Sequence, residues 1–347
     1  MKQITAILFF LFSVQLLSAQ TGGLNIYDFL QYPNSARMAG INGSTLSKKD
    51  GDLSLSISNP CFIDTTLHKQ LVFSNSFYID KTNLGNVLFA YHHPKIKSTL
   101  LYGIQYANYG KFDGRDVAGN QTGTFRAADF NFQVSTARHF NRFYYGVSLK
   151  FIVSHLAAYT SLGLGTDVAI GYSDAKSKLS FAFVLHNAGA ELKPYIKGEG
   201  RQKLPMQLDW SLSKSFKHLP LTIYVTAHNL QTWKLTYPEE EQQIILLGTS
   251  KKKNKGAEIV DNLFRHTAFG LEVQAGKPVQ LRFGYNHLRR QELGIGKKKG
   301  FAGFTAGFGV NIKQFAFDYG FAQYNRTGND HQITLRIKLD EFGHKAK

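Results

Sequence analysis

The last forty residues alternate with a period of two. From Ala302 to Ile312 every even position is apolar (Ala302, Phe304, Ala306, Phe308, Val310, Ile312), and the odd ones are small or polar. Successive side chains of a β-strand point to opposite faces, so this pattern predicts a strand with one greasy and one wet face. It resumes after Lys313, with Phe315, Phe317, Tyr319 and Phe321 set against Ala316, Asp318, Gly320 and Ala322. Past a turn at Asn325–Asn329 a third strand sets Ile333, Leu335, Ile337 and Leu339 against Gln332, Thr334, Arg336 and Lys338. Alternation fits a soluble sandwich with its apolar face inward, and equally a membrane barrel with that face outward.

Targeting separates the two. Met1-Lys2, the apolar run Ile4–Leu17 and Ser18-Ala19 read as a signal peptide over residues 1–19 that is cleaved after export. No later stretch offers the roughly 20 consecutive apolar residues of a spanning helix, so any membrane passage must use strands. Cys61 is the single cysteine, which excludes a disulfide framework and a thiolate metal cluster. An exported chain with 14% aromatics and 32 glycines over 347 residues has the composition of an outer-membrane barrel.

Residues 20–69 are irregular and rich in turn formers (Tyr32-Pro33-Asn34, Asn42-Gly43, Asp50-Gly51-Asp52, Asn59-Pro60). From Gln70 onward, runs of strand length follow one another to residue 341, about fourteen in all, an even number as barrels of this kind require. The links also sort themselves. Every other one is tight (94–98, 139–141, 174–177, 217–220, 276–278 and Lys313), whereas those between are often long (110–124, 188–204, 231–263 and 288–300). Short periplasmic turns opposite longer outer loops are a barrel property that a sandwich has no reason to show.

The expected fold is therefore all-β: a transmembrane antiparallel barrel of about fourteen strands. Unpaired edges are too costly in lipid, so residues 70–79 should close on 331–340. A barrel this wide cannot fill itself with its own side chains, and residues 20–69 are the available plug, or hatch. Residues 342–347 remain as a short tail. Phe130, Leu149, Phe317 and Leu335 should face lipid. Asp129, Asn131, Lys150, Asp167, Asp209, Glu272, Arg282, Asp318 and Arg336 should face the lumen, there to bond the hatch or one another or to line a transport path. If the hatch is wedged inside, Arg37 needs an inward carboxylate, with Asp129, Asp167 or Asp318 as the expected partner.

Other chemistry finds little support. His92 and His93 are adjacent, so in a strand they point apart and lack further ligands at metal spacing. The glycines at 163, 165 and 300–309 match no phosphate loop and suit small inward positions. No catalytic arrangement or cofactor motif is framed. Lys251, Lys252, Lys253 and Lys255, with Lys297, Lys298 and Lys299, form basic runs in expected outer loops. They read as solvated loops or as contacts with anionic lipopolysaccharide, ahead of nucleic acid.

The stretch Gly22-Gly23-Leu24, Tyr27-Asp28-Phe29-Leu30-Gln31-Tyr32-Pro33-Asn34-Ser35-Ala36-Arg37-Met38-Ala39-Gly40 resembles the opening of the PorQ/PorV family. These are outer-membrane components of the Bacteroidetes type IX secretion system within the FadL-type barrel superfamily. Ser58-Asn59-Pro60-Cys61 is similar to the Asn-Pro-Ala motif of that superfamily's hatch, with Cys61 in place of alanine. The resemblance implies a fourteen-stranded barrel with an N-terminal hatch carrying Asn34, Ser35, Ala36, Arg37, Asn59, Pro60 and Cys61. It implies a non-enzymatic role in the attachment complex with PorZ, PorU and PorV, where exported cargo is joined to lipopolysaccharide. As the alternative, it allows a transporter of hydrophobic small molecules or a PorV-like cargo shuttle. One departure is the C-terminus, where Phe342 is followed by Gly343-His344-Lys345-Ala346-Lys347 instead of ending the chain.

Overall fold

A computed structural model describes residues 25–41, 43, 47–78, 82–235, 255–293, 300–323 and 328–342. The signal peptide, Lys251–Lys253, Lys297–Lys299 and residues 343–347 of the tail lie outside the described residues. Fourteen strands pair with their sequence neighbours and close into one antiparallel barrel. They are β1 (Gln70–Phe77), β2 (Asn83–His93), β3 (Ser98–Arg115), β4 (Gln121–Phe140), β5 (Phe143–Leu156), β6 (Tyr159–Asp174) and β7 (Leu179–Lys193). The circuit continues with β8 (Gln207–Ser215), β9 (Leu221–Ala227), β10 (Thr267–Ala275), β11 (Val279–Asn286), β12 (Phe304–Ile312), β13 (Phe315–Gln323) and β14 (Asn329–Lys338). The seam joins β1 to β14 in the expected register, from Gln70 opposite Lys338 to Phe77 opposite His331.

The wall is inverted relative to a soluble protein. Leu149 is 62% exposed on the outside, and Phe130, Phe317 and Leu335 are exposed with it, whereas their neighbours Asn131 and Ser148 are 0% exposed inside. The alternation thus reads apolar-out and polar-in around a closed sheet.

Four expected loops are built differently. Residues 110–124 continue β3 and β4 as a long hairpin, and the start of 188–204 continues β7. Both faces of the hairpin tip are exposed to solvent from Lys111 to Gly123, so no alternation marks it, while ladder pairing runs on to Arg115 opposite Gln121. The links 231–263 and 288–300 contain helical segments, Lys255–His266 and His287–Glu292, so Leu263 to His266 are helical and β10 starts only at Thr267.

The described residues between 25 and 69 run through the lumen from the long-loop end, where Asn25 bridges Lys203, to the short-turn end where β1 begins. Two short helices shape the segment. Helix α1 (Ala36–Ile41) starts at Ser35, whose hydroxyl accepts from the Met38 amide at 3.3 Å. Helix α2 (Leu53–Ser56) starts at Asp52, whose carboxylate accepts from the Ser54 amide at 3.0 Å. Asn59 before Pro60 takes φ −130° and ψ 87°, outside the helical region as its position before proline requires. Glycines in the wall let this backbone approach. A Cβ on Gly284 would overlap the Ile41 carbonyl, and one on Gly146 would lie 2.5 Å from Pro60.

Candidate functional site: the hatch in the barrel lumen

Each residue of Pro33–Ala36 is recognised by the wall or by the hatch itself. The Asn34 amide donates to Ser58 Oγ at 2.8 Å, its side-chain oxygen accepts from Gln105, and its carbonyl accepts from Asn86 Nδ2 at 2.6 Å. On either side, the Pro33 carbonyl accepts from Gln332 Nε2 at 3.0 Å, and the Ala36 amide donates to Thr334 Oγ1 at 2.9 Å. A backbone that leaves water must replace its lost hydrogen bonds, and here β2 and β14 supply them while Gln105 of β3 holds the Asn34 side chain.

Arg37 is the hub. Its guanidinium reaches Glu272 at 3.0 Å through both Nε and Nη2, Asp52 at 2.8 Å and Asp50 at 2.7 Å. Glu272 also holds Lys48 at 2.7 Å and Arg282 at 3.0 Å. Arg282 binds Asp318 at 2.6 Å, and Arg336 bridges Asp318 at 3.4 Å and Asp52 at 3.2 Å. Arg37, Lys48, Arg282 and Arg336 therefore face Asp50, Asp52, Glu272 and Asp318, four charges against four. Burial pushes the Asp52 carboxyl up, but Arg336 and Arg37 outweigh it and hold the group well below the ordinary carboxylate range. Burial disfavours the Arg37 cation as well, and Asp50, Glu272 and Asp52 more than restore it.

The expected partners of Arg37 are replaced. Helix α1 packs against β10 to β14, which puts Glu272 within reach. Asp318 on the same side is taken by Arg282 and Arg336. Asp129 of β4 instead accepts from Tyr109 at 2.7 Å and from Ser154, and Asp167 of β6 pairs with Lys150 at 2.8 Å and with the Asn187 amide at 2.8 Å. His186 stands between Asp167 and Asp209, 3.9 and 3.6 Å away.

The structure places Asn131, Lys150, Asp209 and the other inward candidates in the lumen, and it gathers Glu272, Arg282, Asp318 and Arg336 around Arg37. Lys338, also in the inward set of its strand, lies beyond the hatch, exposed and 3.5 Å from Glu341. Lys255 begins the helical segment ahead of β10. His92 and His93 point apart, the first to Thr99 and the second to Tyr102. Burial raises the Cys61 thiol well above its ordinary range, which removes it as a nucleophile. Sequence reasoning missed Lys48, Asp50 and Asp52 as ligands of the hub. Their run, Lys48-Lys49-Asp50-Gly51-Asp52, was legible only as turn formers, although mixed charge within a plug is itself a sign of pairing.

Space remains on both sides of the hatch. A cavity of about 160 Å³ is lined by Tyr32, Asn34, Gln105, Lys150, His186 and Asp209 among others. A second of about 350 Å³ at the short-turn end is lined by Arg37, Lys48, Asp50, Gln280 and Arg336 among others.

No family model matches the sequence, and no curated protein matches it. Among solved structures it is similar to a deletion mutant of the TodX monoaromatic hydrocarbon channel, at 10% identity over 89% of this chain and 98% of that one, with a TM-score of 0.47. It is also similar to the outer membrane protein Omp33 of Acinetobacter baumannii, at 5% identity over 78% and 97%, with a TM-score of 0.40. The NanC porin follows at 9% identity over 78% and 100%, with a TM-score of 0.31. At these values the likeness is one of general barrel form, and the fold stands on the strand pairing itself.

Proposed function

We propose that this chain is an integral outer-membrane barrel, sealed by its own hatch, that acts without enzymatic chemistry or cofactor as an anchor for partner proteins at the cell surface. The observation that carries this reading is the charge-balanced lock around Arg37. A conduit must let its plug move, whereas withdrawing this hatch would part Arg37 and Lys48 from Glu272 and Asp52 from Arg336, which favours a closed lumen. The resemblance of residues 22–61 to the PorQ/PorV family supports the attachment complex of type IX secretion as the setting. PorZ, PorU and PorV are then the partners, and lipopolysaccharide is the surface on which cargo is fixed.

The second reading is a FadL-like transporter of hydrophobic small molecules. The two cavities, each lined by hatch and wall residues together, favour it. Purification from outer membranes in detergent, followed by uptake and conductance in planar bilayers, separates the two. An anchor retains PorZ- or PorU-like partners and conducts little. A barrel that comes without partner and takes up a fatty acid or an aromatic compound is a transporter. In a Cys61→Ala background, cysteines at Asp116, Glu199, Lys252 and Lys298 should be labelled on intact cells and those at Lys95, Asn141, Lys176 and Lys217 should not. The reverse pattern would sink the topology.

A further inference from the structure

The helix ahead of β10, α3 (Lys255–His266), is turned inside out. Ile259, Val260, Leu263 and Phe264 recur at spacings that put them on one stripe, and all four are exposed, three of them by half or more. The opposite side carries its polar groups, and these face the protein. Asn262 donates to the Trp233 carbonyl at 2.7 Å, the His266 ring lies between the carbonyls of His228 and Trp233, and Arg265 pairs with Asp261 at 2.8 Å. Asp261 also meets His287 at 3.2 Å, on the second helical segment α4 (His287–Glu292). A helix of a water-soluble loop would have the reverse arrangement.

The exposed stripe continues the outer wall. The Phe264 ring stands 5.8 Å from His287, His287 lies 6.0 Å from Tyr285, and Tyr285 lies 5.0 Å from Phe304, with Arg290 over that last ring. Tyr285 and Phe304 are the outer-end residues of the outward faces of β11 and β12, above the exposed Phe283 and Phe308. Such a ring of aromatics marks the level of the headgroups in a membrane barrel. Trp233 (59% exposed) sits against the same helix, its ring stacked on His266.

We propose that α3 and Trp233 form a shelf that lies in the outer leaflet, with Ile259, Val260, Leu263 and Phe264 among acyl chains and the polar side closing onto the barrel rim. The occupant of this apolar stripe is lipid because the stripe is continuous with the lipid-facing band and its aromatic ring. The shelf widens the barrel's grip on one side, above β9 to β12. This rests on the reading of the wall as membrane-spanning, and the test separates the two.

The chain has two tryptophans, Trp210 on the outward face of β8 and Trp233 on the shelf. Full-length mature protein with Trp210→Phe or Trp233→Phe is reconstituted in phosphatidylcholine–phosphatidylglycerol vesicles whose acyl chains carry bromine either near the headgroup or near the terminal methyl. Trp233 should be quenched roughly twofold by the shallow bromines and less by the deep ones, because an interfacial helix sits about 5–10 Å into the boundary. Ile259→Glu with Leu263→Glu should abolish that quenching, while heat-dependent gel mobility shows that the barrel still folds. Quenching of Trp210 with none at Trp233 overturns the shelf and leaves the barrel reading intact. That result would hold whether the stripe meets water or a partner protein. Absence of quenching at both tryptophans overturns the barrel reading and the shelf with it.

Discussion

The hatch meets the two halves of the barrel by different means. In β3 to β7 the strands run 14 to 20 residues, and in β8 to β14 they run 7 to 10. Against the long half the hatch makes mostly neutral contacts, with Lys49 over the Tyr144 ring at 5.6 Å as an exception. The Tyr27 ring lies over Gly163, Pro60 sits on Gly146, and Ile26, Phe29 and Leu30 cluster with Ala107, Ile152 and Leu204. In that half Lys150 pairs with Asp167, His186 stands beside Asp167 and, across to β8, Asp209, and Asp129 is held by Tyr109 and Ser154. Against the short half the hatch brings ions: Arg37 and Lys48 join Glu272, and Asp52 joins Arg336, in a cluster whose wall members, Glu272 and Asp318 with Arg282 and Arg336, also pair with one another. Among the described residues, the ion pairs between hatch and wall all lie on the short half.

Arg37→Ala should break this asymmetry with the largest effect. Removing one partner of a buried ionic group leaves its carboxylates uncompensated, which costs about 3–5 kcal/mol. Urea unfolding should show that loss, and limited proteolysis should cut the hatch near α1. Cys61 lies on the other side, where a Cβ on Gly171 would lie 2.7 Å from its Sγ, so its slow maleimide labelling should persist in the variant. Fast labelling would mean that the hatch leaves as one body and that the two halves are not independent.

Leu149→Arg tests the wall itself. An arginine on the lipid face costs roughly 2–4 kcal/mol near the midplane, and refolding into vesicles of graded urea content measures it. The comparison site is Ser148, one residue along and facing in. From the sequence, arginine there should be milder if the lumen is wet. The structure sharpens this, because Ser148 is fully buried and receives a hydrogen bond from Ser135 at 2.8 Å beneath the Gln133 amide that holds the Ile57 carbonyl. Ser148→Arg should therefore damage hatch seating as well, and a harmless Ser148→Arg would show that the hatch yields on the long side.

The close approach of α1 to the short half is tested by Gly284→Ala. Its methyl would occupy the place of the Ile41 carbonyl, a backbone atom, and overpacking of this kind typically costs 1–3 kcal/mol. Gly200→Ala, where nothing stands within 4 Å, should stay within about 0.5 kcal/mol of wild type. Thermal unfolding of the pair checks both. Equal effects would mean that α1 does not depend on the glycine wall.

The wall was legible because lipid and lumen impose opposite demands on alternate residues, as Leu149 beside Ser148 shows. The signal vanishes wherever both faces meet the same medium, which is why the hairpin tip from Lys111 to Gly123 read as loop. Helix α3 escaped for a related reason: its stripe, Ile259 to Phe264, is short and leads directly into a strand. The hatch was legible as a plug, because its Asn-Pro and turn-rich composition has no strand period. Its partners were not, since which wall carboxylate meets Arg37 depends on how α1 lies across β10 to β14, and no local pattern encodes that.

The smallest effect near neutral pH is the most specific for the ionic half. Asp52 is held below its ordinary range in the folded protein, so its contribution to stability is full above the unfolded value near 3.9 and is lost only as pH falls through the lower folded value. Arg37, shifted upward, stays charged throughout and adds no dependence in this window. Protease protection of the α1 region should consequently stay flat from pH 7 to about 5 and decline only below about 4. Asp52→Asn should lower protection at pH 7 and flatten the acid decline, because the neutral amide cannot balance Arg336 and Arg37 at any pH. A loss of protection between pH 7 and 6 in the wild type would instead point to histidine titration. The carboxylates around Arg37 would then not be what limits protection of α1, and the short half would lose its claim to be the electrostatic latch.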